Sequence, residues 1–176
     1  NYPIGIDKLI DPVGGFFINY SGMIDVAKLI SECKKYFKTR EMYTEQSISV
    51  EALEVGEEHV KLGSFEADKI IFCEGPMAVN NPLWSNLKFK LVKGEILDVS
   101  CRLMMNHILS KGIFMLPYKG YVRVGSTYDN ENQNEEPTEK GKLELLNRLS
   151  KLYKGNVQSL KHRAGLRHAT FDRKPF

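Results

Sequence analysis

No stretch of these 176 residues approaches the roughly 20 consecutive apolar residues that a membrane-spanning helix needs. Cysteine is scarce. Cys33, Cys73 and Cys101 stand far apart, no C-x-x-C occurs, and the four histidines (His59, His107, His162, His168) lack zinc-ligand spacing. A disulfide scaffold and a structural zinc site are thereby excluded, and a reducing cytoplasm is the expected compartment. The opening residues, Asn1 to Asp7, have neither the positive start nor the apolar stretch of a secretory leader. Asn19-Tyr20-Ser21 matches a glycosylation triplet, but such triplets arise often by chance and nothing else points to secretion. A dense basic cluster with interleaved aromatics is also missing. The net charge is only +3, and the basic residues near the end follow an acidic run, which argues against nucleic acid as a partner. No segment repeats and none is of low complexity.

What is present is a globular composition, 42% apolar and 27% charged, in a length that suits one domain or pieces of two. Gly14 to Tyr20 reads as a turn entering a short strand. Asp25 is placed to cap a helix from Val26 to Phe37, whose apolar residues Val26, Leu29, Ile30, Cys33 and Phe37 recur at helical spacing. That stripe is expected to pack into a core, and Cys33 and Cys73 at apolar-periodic positions are expected to act as small hydrophobes. Strands are predicted at 41–44, 48–55 and 59–62, the last two joined as a hairpin through Gly56-Glu57-Glu58. Ile70-Ile71-Phe72-Cys73 is a continuous apolar run that suits a strand buried on both faces. Gly75, just beyond it, allows either a close approach to a nucleotide cofactor or a tight turn out of the strand.

Beyond Pro82 the pattern changes to alternating strands at 91–99, 108–116 and 121–127, with hairpin chemistry at Pro117-Tyr118-Lys119-Gly120. The acidic stretch 129–139 reads as a solvated loop. Thr138 caps a second predicted helix running to about Tyr153, with Leu143, Leu146, Leu149 and Tyr153 on one face. A last strand near 158–166 delivers Arg167. This order of elements predicts an α+β fold, a mixed or antiparallel sheet with helices packed on it.

Arg167 follows the small-residue pair Ala164-Gly165, where two backbones can approach closely, and its planar fork of donors suits a carboxylate. Ala164-Gly165-Leu166-Arg167, followed by Thr170, Asp172 and Pro175, resembles the A-G-L-R-P-x-T-x-D-G-x-P signature of flavin-dependent amine and amino-acid oxidases. That superfamily includes the glycine oxidase, sarcosine oxidase and D-amino-acid oxidase families. Ile70 to Gly75, Lys93-Gly94-Glu95, Leu116-Pro117 and Val122 to Thr127 match in the same order, so the resemblance runs from about Gly15 to Pro175.

The resemblance implies an FAD-dependent oxidoreductase that converts an amine or amino acid to an imine. Arg167 would pair with the substrate carboxylate, and Phe114 and Tyr128 would line the same pocket. Ile48, Cys73, Glu74 and Gly75 would lie near the flavin. The implied layout gives residues 1–21 and 84–166 to a substrate-binding domain and residues 22–83 and 167–176 to part of an FAD-binding domain. The G-x-G-x-x-G turn that holds a dinucleotide pyrophosphate is absent from these residues. The expectation is therefore a central fragment lacking the N-terminal βαβ unit, inactive by itself, with segments of the same protein on either side as its partners. Several positions depart from the pattern. Phe114 lacks the hydroxyl of the family tyrosine, His168 stands for a proline, Arg173 for a glycine, and Glu74 adds a charge in a small-residue turn. Phe114 and Glu74 favour an alternative, a small-carboxylate-binding module without catalysis.

Overall fold

The structure, a computed structural model, describes residues 8–12, 14–103 and 106–171. Contacts divide it into two compact units, Asn1–Asn19 with Glu74–Phe176, and Tyr20–Cys73.

The smaller unit begins with helix α1, Val26–Lys38, capped at Lys28 N by the Asp25 carboxylate at 3.2 Å. It continues into a three-stranded antiparallel meander of β1 (Leu53–Val55), β2 (Val60–Leu62) and β3 (Phe65–Ala67). The predicted hairpin is the β1–β2 pair, closed by Gly56 N donating to His59 O at 2.9 Å. β3 escaped the sequence reading because all three of its residues are exposed and carry no alternation. Three expectations fail in this unit. No strand forms at 41–44, and a 3-10 turn at Val50–Ala52, capped by Ser49, replaces the first part of the predicted 48–55 strand. No strand forms at 70–73, and Ile71 is 84% exposed.

The apolar stripe of α1 also stays open. No residue of the helix is buried, and Cys33 and Cys73 are exposed thiols rather than core hydrophobes. Strands of three residues offer too little apolar surface to cover a helix of 13 residues.

The larger unit is built on one antiparallel sheet, ordered β5-β6-β7-β4-β8. Its strands are β4 (Phe89–Cys101), β5 (Leu109–Ser110), β6 (Phe114–Tyr118), β7 (Tyr121–Gly125) and β8 (Val157–Thr170). The β6–β7 turn is the one predicted: Lys119 and Gly120 both have positive φ, the geometry that matches strand twist in a two-residue hairpin. The predicted 108–116 strand is split by a turn at Gly112 (φ +66°) into β5 and β6. Pro117 is tolerated in β6 because β5 pairs only with Phe114 and Met115, which leaves the proline side of the ladder unused. The expected strand at 14–20 is absent, and Phe16 and Ile18 are exposed.

Helix α2 (Glu139–Ser150) lies on one face of this sheet. Leu145 and Leu149, with Leu152 and Tyr153 just beyond, pack against Leu97, Val99, Met115, Val122 and Val124. The expected face was wrong at Leu143, which is 64% exposed. At 3.6 residues per turn Leu143 points about 200° away from Leu145, and the sheet selects the Gly141/Leu145/Leu149 side. The fold is α+β, and this second unit holds its main core.

Leu145→Ala should lower the stability of the larger unit by about 2–5 kcal/mol. Leu29→Glu on the open stripe of α1 should change stability by no more than about 0.5 kcal/mol. Urea denaturation of the two variants checks this, and equal losses would show that the α1 stripe is covered.

Candidate functional site

The pairing of β4 with β8 brings two distant motifs together. Gly94 stands opposite Gly165, Val92 opposite Arg167 and Glu95 opposite Ala164. Directly opposed residues share a face of the sheet and successive residues alternate, so Gly94, Gly165 and Arg167 face one way and Lys93, Glu95 and His162 the other. Beyond β7 the chain continues alongside β4 through the Lys93–Asp129 bridge, which puts Tyr128 beside Gly94 on the Arg167 face.

On that face the Arg167 guanidinium lies over Gly94. Its Nη2 donates to Thr127 O at 3.3 Å and reaches Ser126 Oγ at 3.5 Å, and its Cζ sits 4.7 Å from the centre of the Tyr128 ring. A Cβ at Gly94 would stand 2.5 Å from Nη2 and 3.2 Å from Cζ, so only glycine leaves room for this pose. No carboxylate among the described residues pairs with Arg167. Phe114 is on the same face, in the row Phe114–Gly125–Ile96–Arg163. Its ring lies across Gly125, where a Cβ would come within 2.6 Å of its Cζ. The structure thus brings Arg167 and Tyr128 into contact and sets Phe114 on the same surface.

The opposite face holds these pieces in register. Glu95, 1% exposed, accepts from Thr138 N at 2.9 Å and Thr138 Oγ1 at 2.8 Å, and His162 Nε2 lies 2.7 Å from its Oε2. Lys93 Nζ is 3.9 Å from the same carboxylate and donates to Asn134 Oδ1 at 2.7 Å. The carboxylate therefore sits at the positive end of α2, and Gly141 leaves the space it occupies. Removing it would strand the buried Lys93 ammonium, a loss of about 3–5 kcal/mol. Thr127 links the two faces. Its Oγ1 accepts from Glu95 N at 2.9 Å while its carbonyl takes Arg167. Thr138 was legible as a cap; its partner Glu95, 43 residues away, was not.

The resemblance residues near the other motif behave differently. Gly75 has φ +56° with open space where a Cβ would be, which requires a left-handed turn out of residue 74. The Glu74 carboxylate accepts from Asn81 Nδ2 at 3.0 and 3.1 Å and from Trp84 Nε1 at 3.3 Å. Its charge is thus drawn onto the following 3-10 turns, which leaves Gly75 free for close approach. Cys73 is exposed and Ile48 is 36% exposed, both in the smaller unit. His168 continues β8 by pairing with Leu91, where a proline would remove a ladder donor; the strand accordingly runs past Arg167 to Thr170. Asp172, Arg173 and Pro175 lie outside the described residues.

A hollow of about 280 Å³ on the α2 side is lined by Glu95, Asp129, Glu131 and Glu144 among others. Its acidic wall disfavours an anion.

The whole of this geometry lies within a match to the family model described as FAD dependent oxidoreductase, which covers residues 3–176. The chain belongs to that family. FAD is the family's cofactor, and the glycine turn at Gly75, cleared of the Glu74 charge, fits such a group. Among solved structures, glycine oxidase from Geobacillus kaustophilus is 18% identical with a TM-score of 0.54, covering 67% of this chain and 35% of that one. Glycine oxidase from Bacillus cereus is 17% identical (TM-score 0.57; 72% and 39%). Iminodiacetate oxidase from Chelativorans is 20% identical (TM-score 0.58; 82% and 43%). These likenesses show the shared fold, and the chain spans well under half the length of each. No helix among the described residues is long and apolar enough to cross a membrane.

In the acidic loop, Asp129 accepts from Asn132 Nδ2 at 2.7 Å and from the backbone N–H groups of Glu131 and Asn132, and these bonds lower its pKa from 3.8 to about 2. A depressed carboxyl stabilises the folded state fully above its unfolded pKa and loses that contribution as pH falls through the folded one. The loop should therefore hold its form from neutral pH to near pH 4 and loosen as pH approaches 2. A carboxyl NMR titration of Asp129 should give a midpoint near about 2, and a midpoint at 3.8 would show that the turn does not persist.

Proposed function

We propose that these residues form the carboxylate-binding part of an FAD-dependent oxidoreductase that oxidises an amine or amino acid to the imine. One observation carries the reading. Arg167 presents a permanently charged fork on an open sheet face, stacked on Tyr128 and held by a backbone carbonyl, with no carboxylate partner among the described residues. Three donors of that fork remain for a bidentate carboxylate, and such charge-assisted pairs are the strong ones. When bound, the flavin supplies the two-electron oxidation. The residues here orient the substrate: Arg167 fixes the carboxylate, Tyr128 limits the guanidinium to one plane, and Phe114 offers an apolar wall. The oxidases named above, acting on glycine and iminodiacetate, support an amino-acid substrate.

In this reading Ile48, Cys73, Glu74 and Gly75 flank the flavin, and residues 1–21 and 84–166 build the substrate side against 22–83 and 167–176 on the flavin side. Three free cysteines support a reducing cytoplasm. Phe114, without a hydroxyl, favours the second reading of a binding module that does not turn its ligand over.

The 176-residue chain, incubated with excess FAD and desalted, should retain no flavin absorbance, because it contains no G-x-G-x-x-G turn. In the full-length protein, Arg167→Ala should weaken carboxylate binding about tenfold or more. Unchanged binding would overturn the clamp, and binding without turnover of any amine would support the non-catalytic module.

Gly94→Ala should act on binding rather than on folding. The atom it meets is the flexible end of Arg167, so the melting temperature should move little while carboxylate affinity falls as in Arg167→Ala. A large loss of stability with intact affinity would contradict the close approach.

A further inference from the structure

The face of the sheet that bears Arg167 carries more positive charge than one carboxylate requires. The β4–β8 register sets Lys90, Asp98, Lys161 and Arg163 on that face, and Arg123, opposite Asp98, joins them. Five cationic side chains thus share that face with one carboxylate. Asp98, 3% exposed, accepts from Arg123 Nε at 2.8 Å and Nη2 at 3.3 Å, and also from Arg163 Nη2. Arg123 is further pinned by the Tyr118 ring, 4.4 Å from its Cζ, and by Tyr121 Oη at 3.1 Å. One buried carboxylate therefore answers two guanidiniums. Arg163 Nε is left buried without a hydrogen-bond partner, although the Arg163 side chain as a whole is 35% exposed and open to a ligand.

The spacing of the two cationic points is set by the strand. Arg167 places its guanidinium at Gly94 and Arg163 at Asp98, four residues along β4, or about 13 Å. A carboxylate centred about 4 Å inward from each guanidinium would still leave about 5 Å between the two acid groups. The floor between them is Gly94 beside Gly165, with nothing within 4 Å of a Cβ at Gly165, then Ile96 and the Phe114 ring. It is a shallow apolar strip between two cationic ends.

We propose that the substrate is a dicarboxylic amine or amino acid, with its first carboxylate on Arg167 and a second, three or more carbons away, on Arg163 and Arg123. This rests on the reading of Arg167 as the carboxylate clamp. It also gives Phe114 a use, since a ring without a hydroxyl suits a methylene spacer. The second carboxylate neutralises the charge that Asp98 leaves over and meets the exposed part of the Arg163 side chain.

The test is calorimetric titration of the full-length, flavin-loaded protein with unreactive acids: butyrate, malonate, glutarate and pimelate. Glutarate or pimelate should bind about tenfold tighter than butyrate, malonate should gain little, and Arg163→Gln should bring the glutarate-to-butyrate ratio to about one. A wild-type ratio near one, with all binding lost in Arg167→Ala, overturns the second subsite and leaves the clamp intact. Butyrate binding that survives Arg167→Ala removes the clamp itself. Should Arg163→Gln fail to fold, because Asp98 loses a partner, the wild-type chain-length series decides: no gain from a second carboxylate at any length overturns the proposal.

Discussion

The ladder between β4 and β8 is the constraint on which the rest depends. It runs the full 13 residues of β4, and its register, with one irregularity between Asp98 and Val99, settles which side chains face together. A slip of β8 by one residue against β4 would turn Arg167 toward α2, placing a charge where the core is. The register is protected from both sides. Gly94 accepts only the Arg167 pose, and Glu95 finds its donors only beneath α2.

The two faces of the sheet solve different problems with the same residue types. On the α2 face, buried Lys93 and Glu95 and half-buried His162 answer one another, so their charges serve assembly. On the other face the cations outnumber the carboxylates, and what remains unanswered is available to a ligand. Thr127 joins the two, because one residue takes the Glu95 amide with its hydroxyl and Arg167 with its carbonyl. The position of Arg167 is thereby tied to the packing of a helix on the far side.

The departures from the family pattern become intelligible in the same terms. Glu74 is harmless to a cofactor turn because Asn81 and Trp84 draw its carboxylate away. His168 extends β8 where a proline would have stopped it. Phe114 trades a hydrogen bond for an apolar surface over Gly125.

Local signals were legible because they act over a few residues. Asp25 and Thr138 were readable as caps, Lys119-Gly120 as a hairpin turn, and the motif Ala164-Gly165-Leu166-Arg167 as the place to look for an anion clamp. The α+β class followed from the order of such segments. Periodicity failed wherever a partner had to be present to act on it. The α1 stripe has the spacing of a core helix but none of its residues is buried among the described residues, and the 70–73 run has the composition of a buried strand but forms none. α2 had two plausible apolar faces until the sheet chose Leu145 over Leu143. The sequence by itself determined the helix caps, the hairpin turn and the Ala164-Gly165-Leu166-Arg167 motif. Only tertiary structure decided that Arg167 lies over Gly94, that Glu95 is buried beneath α2, and that Arg123 and Arg163 meet at Asp98. Register and burial are relations between segments tens of residues apart, and no local pattern encodes them.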